Sequence, residues 1–392
     1  MARRLISVLC AYWLTFASVY ACESDYSIWI QRSPTADPLF RFIKNGKMGF
    51  IDQTGKVVVP PVLKYWGGNG GAEFHDGLLE IGVSHGVYVD RSANTVIDKG
   101  FFRGWDFSEG LAVAMPKDSK KWGYINTSGE WVIDPRFDTY PNGYVSPFRG
   151  GFAEIEVAGK IGYIDRTGAF AIAPRFLKGE SFFDGFARVV VEGPCSYSNP
   201  ESVCPDSGAV PNGTKQDARL PSCKYTFVNR SGKIISDDRY DYAGHFAEGL
   251  APVRVGERWG YIDKTGKIVI APKFDKAAPF SDGVALVSAN ELYGYIDHTG
   301  KYVIAPRFTY AEDFSGGLAV VGSLDSGVWY IDSKGKQAIA GKFAIASGFF
   351  KGLAHVRLKS ASTDDVETFS SGKFAYIDRT GRRVFTYTIG DK

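Results

Sequence analysis

Short apolar runs alternate with polar, glycine-bearing turns along nearly the whole chain. Leu250-Ala251-Pro252-Val253 and Leu318-Ala319-Val320-Val321 are brief and partly β-branched, the signature of strands. A few residues later Gly260-Tyr261-Ile262-Asp263 or Gly294-Tyr295-Ile296-Asp297 predicts a second strand. The tetrads Asp263-Lys264-Thr265-Gly266 and Asp297-His298-Thr299-Gly300 then turn the chain. Aspartate at the first position can accept a bond from the N–H two residues on, and glycine at the fourth can take positive φ. Together they predict a type I turn with a glycine bulge. A third strand follows, as in Lys267-Ile268-Val269-Ile270, and is predicted to stop at Pro272, which cannot donate to a ladder. An irregular link is expected next, with two spaced aromatics (Phe274 and Phe280, or Phe308 and Phe314) plugging the seam between consecutive sheets.

The pattern recurs. Asp52, Asp90, Asn126, Asp165, Asn229, Asp263, Asp297, Asp332 and Asp378 occupy equivalent positions, at successive spacings of 38, 36, 39, 64, 34, 34, 35 and 46 residues. The turn is most complete where Asp52 precedes Gly55, Asp165 precedes Gly168, Asp263 precedes Gly266, Asp297 precedes Gly300 and Asp378 precedes Gly381. The two long spacings mark insertions, one at 193–224 and a smaller one near 359–372. One unit cannot stand alone. Ordering some 35 residues costs on the order of 50 kcal/mol, and a few buried aromatics at about 1.5–3 kcal/mol each do not offset it. Neighbours must supply the difference. The fold class is therefore all-β, a tandem repeat of about nine three-stranded antiparallel meanders. The units can advance as an open, curved superhelical array or close into a propeller-like ring. Uneven spacing, with end units that hold all their strands, points to the open array.

Lys121-Trp122-Gly123-Tyr124-Ile125 and Trp259-Gly260-Tyr261-Ile262-Asp263 resemble the WG (KWG) repeat, a β-rich repeat of bacterial exported proteins. The resemblance spans residues 41 to 386. Met48, Ile161 and Tyr293 replace the tryptophan in other units, and Trp329 is followed by Tyr330 instead of glycine. The resemblance implies a binding or structural array and carries over no catalytic residue. The repeat array is expected over 39–386, with a linker at 22–38 and a tail at 387–392.

Arg3 and Arg4 precede an uncharged apolar run from Leu5 to Val19, which predicts a secretory signal over residues 1–21, cleaved before Cys22. No transmembrane segment is expected after cleavage. Val19-Tyr20-Ala21-Cys22 also resembles a lipobox, so the expected location is secreted or periplasmic, with a lipid anchor at Cys22 as the alternative. Lys and Arg total 46 against 43 Asp and Glu, a net charge of +3, which argues against nucleic acid as a partner. Cys22, Cys195, Cys204 and Cys223 are candidates for disulfides in an oxidising compartment, with three possible connectivities. Cys195 and Cys223 flank the neck of the Pro/Gly-rich insertion and make the favoured pair. Their spacings match no paired zinc pattern.

Gly82-Val83-Ser84-His85-Gly86 matches a nucleophile elbow, but it falls in a hairpin link where the motif needs a strand–turn–helix context. The repeated aspartates form no calcium loop, since Asn126 and Asn229 substitute for them freely. His75, His85, His245, His298 and His355 sit in different units at no ligand spacing. Trp122, Trp259 and Trp329 share one repeat position and could stack on sugars, although aliphatic replacements there favour packing. The expectation is a non-enzymatic scaffold for a protein or polysaccharide, needing no cofactor or metal. An envelope-associated hydrolase, or an accessory to one, is the alternative.

Overall fold

Each sheet is built outward from its Gly-Tyr-Ile-Asp strand. In the sixth sheet Arg258–Asp263 lies between Leu250–Val255 and Ile268–Phe274, antiparallel to both. The register slips between Trp259 and Tyr261. Gly260 sits at that slip, where a Cβ would lie 2.4 Å from the Ile270 carbonyl oxygen and 2.7 Å from the Pro272 nitrogen. The same close approach recurs at Gly123, Gly162 and Gly294. The glycine after the tryptophan is thus required by the strand that crosses over it.

The computed structural model describes residues 38–64, 73–81, 86–138, 145–193, 223–323, 327–358 and 372–390. Within them the chain forms nine antiparallel sheets of three or four strands and no helix, as the all-β reading expects. Every turn forms as its sequence dictates. In the first, the Gly55 N–H donates to the Asp52 carbonyl at 3.1 Å and Gly55 has φ +87°. The Gly168 N–H closes its turn on the Asp165 carbonyl at 2.9 Å, and the Gly381 N–H closes the last one on Asp378 at 2.8 Å. One oxygen of the Asp52 carboxylate accepts from the Thr54 N–H, the Thr54 hydroxyl and the Lys56 N–H. Asn126 and Asn229 accept from the N–H groups two and four residues on in the same way.

The link between units is more regular than expected. Tyr242–Ala243, Lys276–Ser281, Tyr310–Ala311 and Ile345–Ala346 are short strands that add to the sheet that follows them. The last strands are exposed over much of their length, and the second and third strands are buried. The sheets therefore stand with their first strands inward and their last strands on the rim.

Aromatics plug the seams, as anticipated, and a latch accompanies them. Tyr261 packs on Phe280 of the next unit at 5.1 Å, and Tyr295 packs on Phe314 at 4.8 Å. The hydroxyls of Tyr88, Tyr124, Tyr163, Tyr261, Tyr295 and Tyr330 each donate to a backbone carbonyl on the first strand, or the link, of the next unit at 2.7–2.9 Å. The ninth sheet makes a variant of this latch with the first, its acceptor on the strand that corresponds to a second strand: the Tyr376 hydroxyl donates to the Arg41 carbonyl at 2.6 Å. Phe40, Phe42, Ile51, Leu353 and Tyr376 share one core, and Gln53 bonds the Lys351 carbonyl.

The array therefore closes on itself, and the expected open superhelix is corrected to the propeller-like alternative. Each sheet keeps its free edges; it is the stack of nine that closes. Complete end units do not prevent this, because the seam is made by faces and needs no shared strand. The expected tail also begins later than 387, since Arg383–Ile389 is a strand and Tyr387 packs on Phe42 and His355.

Candidate functional site

A meander in a ring sorts its connections onto two faces. Turns joining first to second and third to fourth strands share one face. Hairpins joining second to third strands, together with the links between units, share the other.

The turn face is occupied by the protein's own contacts. Asp76 accepts from the Gly110 N–H, Glu109 from Gly150 and Gly151, Asp184 from Gly249, and Asp282 from Gly317, each carboxylate reaching the next unit. The residue after the turn acid reinforces this lacing: Lys264 pairs with Asp184 at 2.8 Å and His298 with Glu248 at 3.4 Å. The turn carboxylates are likewise committed. Hydrogen bonds from Thr265 hold Asp263 below its ordinary value, and those from Thr380 and Arg382 bring Asp378 down to about 2.

The turn glycines do more than the sequence reading assigned to them. Expected only to close their own hairpins, they also touch the preceding unit. The Gly168 carbonyl accepts from the Arg136 guanidinium at 2.7 Å, and a Cβ at Gly168 would lie 2.8 Å from Ile133 Cγ2. At Gly381 a Cβ would lie 2.5 Å from Ile339 Cγ2, and at Gly300 2.8 Å from Ile270 Cγ2. Gly55 meets Val384 of the ninth sheet in the same manner, across the closure. Gly168 and Gly381 are therefore seam contacts, with no room left beside them for a ligand.

Ionisable groups collect inside the seams. Aligning the second strands puts Arg41, Glu80, Glu154, Arg188 and His355 at one position, where other units carry Val113, Pro252, Leu286 and Val320. Glu154 is buried, and its Oε2 has no hydrogen-bond partner among the described residues. Burial pushes its carboxyl well up; Glu180 adds to the rise, and Arg149 and Arg188 oppose it. Arg188 is paired to Glu180 and donates to the Ala243 carbonyl in the next sheet. Burial likewise brings Glu73, Glu312 and Asp313 up to about 7.

His355 Nε2 lies 2.8 Å from the Tyr387 hydroxyl, and its ring stacks on Phe374 at 5.3 Å. Burial, with Arg41 nearby, brings it down to about 4, so the imidazole is neutral at pH 7. These groups are distributed one or two to a seam around the ring. Repeat alignment could have found Arg41, Glu80, Glu154, Arg188 and His355, at the third position of the Leu-Ala-x-Val strand, because polarity there breaks an otherwise apolar pattern.

The other residues singled out from the sequence also serve the seams. Trp122 and Trp259 are buried against Trp105 and Tyr242, and Lys342 covers the ring of Trp329. Trp122 and Trp259 offer no open face for sugar stacking. His245 stacks on Phe183 and His298 on Phe280, while His75 lies 4.0 Å from Asp106. Cys223 is disulfide-bonded. Cys22, Cys195 and Cys204, the Ser84-His85 pair and residues 1–37 lie outside the described residues, as does the insertion between Gly193 and Cys223. Among the described residues no three His, Cys, Asp or Glu side chains are grouped to hold a metal ion, and no helix is long and apolar enough to cross a membrane.

The family described as WG containing repeat matches residues 48–65, 122–160, 161–193, 225–259, 259–293 and 293–322. Comparison with curated proteins finds no match. Among solved structures, a eukaryotic initiation factor aligns over 91% of this chain and 97% of its own, at 10% identity and a TM-score of 0.56. That likeness is one of fold alone. A streptogramin B lyase (12% identity, 70% of this chain and 89% of its own, TM-score 0.31) and the WD40 beta propeller domain of Doa1 (10%, 64% and 86%, 0.29) are more distant.

Proposed function

From the premise that this chain belongs to the WG repeat family and closes its repeats into a ring, we propose that it is an exported, non-enzymatic scaffold that binds a protein or polysaccharide at or outside the cell envelope. One observation carries this reading. The groups able to act as acids, bases or ligands are distributed in small sets among the seams, most of them held by contacts within or between sheets, and no one position gathers a nucleophile, a base and its orienter. Acid–base or nucleophilic chemistry needs such groups convergent on one reacting atom. A ring laced in this way is a rigid display surface, and its hairpin face is where the longest insertion leaves the repeat. The signal at 1–21 and a Cys195–Cys223 bridge at the insertion neck belong to the same proposal. A lipid anchor at Cys22 is its envelope-bound form.

The test is a pull-down from envelope and medium with the mature protein, with and without residues 193–224, beside assays with esterase, protease and glycosidase substrates. Capture of a defined partner without turnover is expected. Turnover abolished by Ser84→Ala would replace the scaffold with a hydrolase.

A further inference from the structure

We propose that the hairpin face of the first, third and fourth sheets binds an anionic polysaccharide through Lys44, Lys47, Lys117, Lys120 and Lys160. The inference rests on the scaffold reading and names its ligand class.

Two units of the repeat depart from its charge pattern. At the edge of this face, in the third, fifth and sixth sheets, the base that opens the third strand meets an acid at the end of the last strand or just past it. Lys121 pairs with Asp138 at 2.5 Å, Lys224 with Asp241 at 2.5 Å, and Arg258 with Asp275. In the first sheet the residue opposite Lys47 is Lys64, and Lys47 also faces Lys44 directly across the hairpin. In the fourth sheet Lys160 faces Val157, and Leu177 stands where the acid would be. Like charges directly across a ladder destabilise it, so the Lys44–Lys47 pair has a cost that a bound anion would offset.

Among the hairpins described throughout, the basic ones belong to the first, third and fourth sheets. The hairpins of the first, third and fourth sheets hold six lysines, of which Lys121 is paired to Asp138, against one further acid, Asp118, with Glu156 one rung further in. Lys44, Lys47, Lys117, Lys120 and Lys160 are exposed. The equivalent hairpins of the sixth and seventh sheets are Val255-Gly256-Glu257-Arg258 and Ala289-Asn290-Glu291-Leu292, together carrying two acids and one base. These lysines are therefore not a general property of the hairpin. The charge is local, because the chain as a whole carries only +3. An arc of flexible point charges with no aromatic among the hairpin residues suits repeated carboxylate or sulfate groups on a sugar chain. It does not suit nucleic acid, whose single strands are held by stacking as well as charge.

The experiment is calorimetric titration of the mature protein with polygalacturonate and dextran sulfate, against neutral dextran and duplex DNA, at 50 and 200 mM salt. Expected is binding to the anionic polysaccharides that weakens about 20-fold between the two salts, as for roughly three engaged charges on a flexible polyanion. Lys44→Glu/Lys47→Glu/Lys160→Glu should lower affinity at least tenfold with no fall in melting temperature. Lys301→Glu/Lys334→Glu, on the turn face, should leave it unchanged. Absence of binding, equal binding to neutral dextran, tighter binding to DNA, or equal loss in both variants would overturn the proposal. Capture of an envelope partner without binding to either anionic polymer would reject this ligand class and leave the scaffold standing. Cleavage of the polymers would reject the scaffold itself.

Discussion

Removing one hydroxyl tests whether the ring is closed. Tyr376 is 8% exposed, its hydroxyl donates to the Arg41 carbonyl at 2.6 Å, and its ring lies 5.4 Å from Phe40. Tyr376→Phe keeps the ring contacts and removes only the donor. A net hydrogen bond contributes about 0.5–1.5 kcal/mol, and a buried carbonyl left without a partner adds to the loss, so about 1–2 kcal/mol is expected. Tyr261→Phe provides the internal standard, because its hydroxyl makes the corresponding latch to Ala278 at 2.8 Å in an interior seam. In a closed ring both variants shift the urea midpoint by similar amounts at unchanged slope. In an open array Tyr376 would sit on a solvent-facing end, where water replaces the carbonyl. A normal midpoint for Tyr376→Phe beside a lowered one for Tyr261→Phe would refute closure.

Three further outcomes follow from the same geometry. Gly294→Ala would place a Cβ 2.6 Å from both the Ile304 carbonyl oxygen and the Pro306 nitrogen, and should cost about 1–3 kcal/mol in thermal or urea unfolding; an unchanged midpoint would contradict the close approach. Asp263→Ala removes the acceptor of three hydrogen bonds and should cost about 1 kcal/mol, whereas Asp263→Asn should be tolerated, as Asn126 and Asn229 are; equal effects of the two would remove the turn's explanation. Glu312 and Asp313 are raised to about 7 by burial, so the folded state holds their protons longer than the unfolded chain. Their contribution to stability is full below the unfolded values near 4 and is lost as pH climbs through 7. Glu312→Gln/Asp313→Asn should therefore flatten the fall in melting temperature between pH 5 and 8, and parallel profiles would rule this out.

Elements whose causes lie within a few residues were legible in the chain. The turn is closed by the side chain of its own first residue, so nine equivalent copies, five of them Asp-x-Thr-Gly, could be located without any tertiary contact. Seam aromatics were legible because a weak unit must bury something against its neighbour. The short first strand of most sheets was not, since its two-residue ladders form only with the sheet that follows. The second duty of Gly168 and Gly381 was hidden too, because Arg136 and Ile339 reach them from another unit. Nor was the buried tyrosine hydroxyl legible, whose acceptor lies 17 residues on from Tyr261 and 335 residues away at closure.

Local order in the chain determined the class, the period and the turns, because those depend on hydrogen bonds and side-chain alternation spanning two to four residues. Only the tertiary structure decided that the two ends meet, since the angle between neighbouring sheets accumulates over nine seams and no single repeat records the sum. It also turned the recurring glycine from a repeat signature into a steric requirement. And it sorted lysines that are scattered along the chain onto one side of the ring, because an antiparallel meander sends every second connection to the same face.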